Sequence, residues 1–166
     1  MLGAGVGRIL LMTGPSSSET VTVTSANSTR STESVRGIRV LLFSDDRSIR
    51  DSVRLAVGRR PARDIEVVEW LEFATAPAVV EAVKAGGVDV LILDGEAAPL
   101  GGRGLCRQLK HELFECPSVI VLTARPQDAW LASWSYADHA VPMPVDAMVM
   151  AHAVADVVTA ASRDDV

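Results

Sequence analysis

Three places along the chain put oxygen-bearing side chains directly after short apolar runs. The run at 38–43 closes on Ser44-Asp45-Asp46, the run at 88–93 closes on Asp94, and the run at 119–122 closes on Thr123. Carboxylates gathered at one site repel each other, so Asp45, Asp46 and Asp94 together need a cation or a proton to coexist. A hard divalent ion with oxygen ligands suits them, and Mg²⁺ is the usual ion where phosphate is handled. A carboxylate in such a setting can attack a phosphoryl donor and become an aspartyl phosphate. Asp94 is the candidate for that role, and the Thr123 hydroxyl could hydrogen-bond the phosphoryl oxygens.

That chemistry requires the three polar ends to meet, which depends on the elements carrying them. The apolar runs read as buried strands, 88–93 most clearly, and 65–70 and 139–141 add two more. Between them the spacing predicts helices over 47–59, 77–85, 104–113, 128–136 and 146–160. Pro61 and Gly86-Gly87 act as stop signals. Strands alternating with helices indicate a parallel sheet covered on both faces. Five such units suit a flavodoxin-like, doubly wound α/β fold with strand order 2-1-3-4-5, in which ligands bind beyond the carboxyl ends of the strands. The three polar ends would then share one edge.

The 166 residues, nearly half of them apolar, suffice for one cored domain and a tail. The expected division is a Ser/Thr-rich tail over 1–35, a domain over 36–160, and a short end over 161–166. The tail holds too few bulky apolar side chains to offset its ordering entropy. It reads as disordered, or as an arm ordered only on a partner. A net charge of −5 argues against general nucleic-acid binding. No apolar run approaches the roughly 20 residues of a membrane-spanning helix. The four apolar residues after Arg8 fall short of an export signal, and GAGVG at 3–7 lacks the strand that must precede a phosphate loop. Cys106 and Cys116 have no metal-binding spacing, Cys106 falls on a core-facing helical position, and a reducing cytoplasm is the expected compartment.

The segments 38–50 (IRVLLFSDDRSIR), 88–102 (VDVLILDGEAAPLGG) and 119–126 (VIVLTARP) resemble the first, third and fourth strand motifs of response-regulator receiver domains. The resemblance covers about 36–158. It implies that Asp94 accepts a phosphoryl group from a histidine kinase, that the acids after the first strand bind Mg²⁺, and that Thr123 senses the phosphoryl group. Three departures accompany it. Met143-Pro144 stands where the family has Lys-Pro, and Ala140 stands where it has an aromatic switch residue. Ser44 also replaces one of the two metal-binding acids. Segments 94–104, 122–135 and 140–146 further resemble a group of actinobacterial orphan receivers. That likeness implies a partner in the respiratory chain, the proton-pumping NADH dehydrogenase (complex I).

The expectation is therefore a stand-alone receiver without an output domain, not an enzyme, acting by protein–protein contact with a degenerate switch. The alternative is a constitutive accessory subunit docked on complex I, peripheral at the cytoplasmic face of the membrane. Trp130 and Trp134 lie four apart on one helical face, either as core or as interface anchors. Arg47, Arg50 and Arg54 line one side of the first helix, which reads as a solvated face partly paired with Asp51 and Glu69. His111, His139 and His152 show no catalytic or metal spacing.

Overall fold

The computed structural model describes residues 34–164. The expected tail lies outside the described residues up to 33, as do 165 and 166. Strands β1 (Arg36–Phe43), β2 (Ile65–Phe73), β3 (Val90–Asp94), β4 (Ser118–Thr123) and β5 (His139–Pro142) alternate with helices α1 (Arg47–Val57), α2 (Ala76–Ala85), α3 (Gly101–Glu112), α4 (Ala129–Trp134) and α5 (Ala147–Asp164). All four strand pairings are parallel. Their order, β2-β1-β3-β4-β5, is the one expected.

Each central strand feeds two cores because successive side chains point to opposite faces. Val40 and Leu42 of β1, Val90 and Ile92 of β3, and Ile120 and Leu122 of β4 meet Val53 and Val57 of α1 and Met150, Val154 and Val157 of α5. The intervening Leu41, Phe43, Leu91, Leu93, Val119 and Val121 meet Val79 and Val83 of α2 and Leu105, Cys106 and Leu109 of α3. This two-sided burial is why the strands read as continuous apolar runs. Cys106 lies in the core, as its helical position predicts.

Several boundaries differ from the sequence reading. β2 runs on to Phe73, because Leu71 and Phe73 pack against the second core. α3 begins at Gly101, not at 104. Helix α5 continues through residues 161–164, beyond the domain end at 160 that the sequence predicts. The start of α3 follows from close packing on the end of β3. A Cβ on Gly102 would stand 2.4 Å from the Asp94 carbonyl oxygen, so only a glycine lets the first turn approach that closely.

Candidate functional site

Ser44 directly follows β1, and Asp94 and Thr123 end the neighbouring β3 and β4; all three are buried, Asp94 being 1% exposed. Register places Phe43 beside Leu93 and Asp94 beside Leu122, so the side chains that follow come together at one sheet edge. Both Asp94 oxygens have donors. The Ser44 hydroxyl donates to Oδ2 at 2.7 Å, and the Glu96 amide donates to Oδ1 at 2.9 Å. Thr123 differs, because its Oγ1 is buried without any hydrogen-bond partner. An unpaired buried hydroxyl is costly, and it leaves this edge able to bond an incoming oxygen.

The other two acids separate in role. Asp45 is exposed and accepts from the Ala98 amide at 3.3 Å, in the same loop that leads away from Asp94. Asp46 is the N-cap of α1. Its Oδ1 accepts from the Ser48 hydroxyl at 2.6 Å and the Ser48 amide at 2.7 Å. Those bonds hold its carboxyl below the usual carboxylate range. The expected set Asp45, Asp46 and Asp94 is therefore not drawn into one cage. Among the described residues no three acidic, histidine or cysteine side chains stand together to hold a metal. Asp45 and Asp94 both accept from the loop that follows β3, at the Ala98 and Glu96 amides. Mg²⁺ keeps several waters and takes only one or two carboxylates beside a phosphate, so this donor set is of the kind that suits it.

The positions of the departing residues are equally defined. Met143 donates its amide to the Thr123 carbonyl at 2.8 Å and packs half-buried against the first core. Ala140 packs against the second core.

Trp130 and Trp134 lie on the surface, 65% and 56% exposed, so the interface reading of these residues survives and the core reading does not. Arg107 of α3, which composition and spacing did not single out, joins them. Its guanidinium lies 4.4 Å over the Trp134 ring and 5.4 Å over Tyr136, and it donates to the Trp134 carbonyl at 3.2 Å. The Tyr136 ring also meets His111 edge-on, with ring centroids 5.4 Å apart. On α1, Arg47 pairs with Asp51 as expected. Arg50 and Arg54, however, pair with Glu72, while Glu69 pairs with Arg39 of β1.

No family model matches the chain. It is 47% identical over 122 residues to a protein of Mycobacterium tuberculosis described as an uncharacterized response regulatory protein, found alike in strains CDC 1551 and H37Rv. The match spans 74% of this chain and 92% of that protein. Among solved structures, it superposes on the receiver domain of response regulator 1452 from Francisella with a TM-score of 0.61 and 17% identity, covering 75% of this chain and 98% of the other. A two-component response regulator of the LuxR family from Aurantimonas gives a TM-score of 0.62 at 19% identity, covering 75% and 87%. At these identities the structures share the fold alone.

Proposed function

This chain belongs to the response-regulator family, and from that premise we propose that it works by docking on another protein rather than by catalysis. The observation that carries this reading is the aromatic surface of α3 and α4. Exposed tryptophan, tyrosine and arginine are the side chains that most often anchor interfaces. Here Arg107 stacks between Trp134 and Tyr136, so the anchor is ordered before any partner arrives, which reduces the entropy lost on binding. The Mycobacterium tuberculosis relative, of which the match covers nearly the whole length, is itself little more than this fold.

Asp94 is the phosphoacceptor of this reading. A carboxylate oxygen of Asp94 would form the new bond to phosphorus, while the bond from phosphorus to the donor (a kinase histidine nitrogen or the acetate of acetyl phosphate) breaks. Asp45 and Asp94 would hold Mg²⁺, which supplies charge neutralisation for the phosphoryl oxygens, and Thr123 offers its unpaired hydroxyl. The switch is degenerate. Met143 carries no charge to pair with a phosphorylated Asp94, and Ala140 has no ring to reorient, so the docking surface is insulated from the aspartate. Phosphorylation, where it occurs, leaves docking nearly unchanged.

A narrower reading names the partner as respiratory complex I, with the chain as a constitutive accessory subunit held at the cytoplasmic face of the membrane. The exposed tryptophan face gives that reading its contact surface. Both are tested by tagging the full chain and isolating it from native membranes under mild detergent. Co-migration with a respiratory complex, lost in Trp134→Ala and kept in Asp94→Asn, is the expected result. Release of the chain as a free protein rejects the subunit reading. A strong dependence of capture on acetyl phosphate, abolished by Asp94→Asn, rejects the insulated switch.

A further inference from the structure

Ser44 stands where the family has an acid, and every polar group it owns is engaged. Its amide donates to the Phe73 carbonyl at 3.2 Å, and its carbonyl accepts from Arg50 Nη1 at 2.6 Å. Its Oγ accepts from the Asp46 amide at 3.1 Å and donates to Asp94 Oδ2 at 2.7 Å. Because the Asp46 amide occupies one side of the hydroxyl oxygen, the hydroxyl proton is directed to Asp94. Arg50 is itself held by Glu72 at 3.3 Å, which fixes the Ser44 backbone from the α1 side.

We propose that Ser44 substitutes for a divalent cation at Asp94, keeping the buried carboxyl group oriented, with a donor on each oxygen and no metal bound. A buried carboxylate without partners is strongly unfavourable. In a cluster of acids a cation or a proton must offset the repulsion. Here the neighbouring acid is a hydroxyl, so repulsion is lower and a short bond to charge takes the cation's place. The Glu96 amide completes the pairing at Oδ1. A metal ion then reaches Oδ2 only by displacing the Ser44 bond, and Ser44 is a positioning residue that sets the metal requirement of the site. The inference rests on Asp94 being the receiver carboxylate.

The test uses the full chain, with thermal unfolding in EDTA, Mg²⁺ or Mn²⁺ and Mn²⁺ affinity read by electron paramagnetic resonance. The wild type is expected to melt at nearly the same temperature with and without millimolar Mg²⁺. Ser44→Ala removes the competing donor, so it should melt lower in EDTA and recover with Mg²⁺. Its Mn²⁺ affinity should rise roughly tenfold, the equivalent of one hydrogen bond to a charged group. Ser44→Asp should bind Mn²⁺ at least as tightly, and it keeps the test decisive if the alanine variant does not fold. Ser44→Thr, which retains the hydroxyl, should behave as wild type.

Equal Mn²⁺ affinity in wild type and in the Ala or Asp variant overturns the proposal. Acetyl phosphate labelling separates this from the parent reading. Unchanged metal affinity with Asp94 still labelled overturns the role of Ser44 alone. A shifted metal affinity with no labelling in any variant supports Ser44 and removes the phosphoacceptor role.

Discussion

Two glycines in the first turns of α3 should respond in opposite directions to the same substitution. Alanine is favoured over glycine inside a helix by about 1 kcal/mol, so propensity alone predicts that Gly102→Ala and Gly104→Ala both stabilise. The surroundings decide otherwise. A Cβ at Gly102 would lie 2.4 Å from the Asp94 oxygen, 2.7 Å from the Asp94 carbonyl carbon and 2.9 Å from that of Leu93. These are backbone atoms of a fully buried strand, so relief requires α3 and β3 to part. Overpacking of this kind costs typically 1–3 kcal/mol and sometimes more. Against backbone the upper part of that range applies, leaving Gly102→Ala destabilised by about 1–2 kcal/mol after the propensity gain. At Gly104 the nearest atoms are the tip of the Leu100 side chain at 3.0 and 3.3 Å. Leu100 is exposed and free to move, so Gly104→Ala should gain up to about 1 kcal/mol. The two variants should thus differ by about 2–3 kcal/mol. With a urea slope of roughly 2 kcal/mol per molar, the midpoints separate by about 1–1.5 M around the wild type. Equal stabilisation by both variants would refute the close approach of α3 to Asp94.

Two further expectations concern groups the site depends on indirectly. Arg50→Met removes the donor to the Ser44 carbonyl and the ion pair to Glu72, and should lower stability by about 1–2 kcal/mol in urea unfolding; an unchanged midpoint would show that this clamp contributes nothing. Burial pushes the Cys106 thiol from 9.0 up to about 11, which lowers its thiolate fraction at neutral pH about a hundredfold. In native protein Cys116, only half-buried, should therefore react with Ellman's reagent before Cys106, as mass mapping would read; labelling of Cys106 first contradicts its burial. Because the native state favours the protonated Cys106 thiol, its contribution to stability is present below pH 9 and fades as the pH rises through about 11.

The sheet, its strand order and the gathering of Asp94 and Thr123 at one edge were legible in the sequence. Continuous apolar runs ending in polar residues have one physical explanation in a doubly wound fold, namely burial on both faces up to the point where the strands emerge. The division of labour among the acids was not legible. Asp45 and Asp46 are adjacent in the chain, yet one meets the loop after β3 and the other caps α1. Which does which depends on where the first helix starts. The bond from Ser44 to Asp94 joins residues 50 apart, and Arg107 reaches Trp134 across a helix pair; neither leaves a local pattern.

The ion pairs of α1 show the boundary most clearly. Sequence spacing alone determined that Arg50 and Arg54 share a helix side and that 65–70 forms a strand. It favoured Glu69 as their partner. In the fold the β1–β2 register shifts at Ile38 and Arg39, leaving Val68 as an extra residue, 63% exposed. One inserted residue reverses the alternation of the strand. Ile65 and Val67 face the first core before the shift, and Trp70 faces it after. Glu72 follows Trp70 onto the α1 face and takes both arginines, while Glu69 is left to Arg39. Residue types and spacing determine which groups can pair, and a single register shift, set by tertiary packing, decides which of them do.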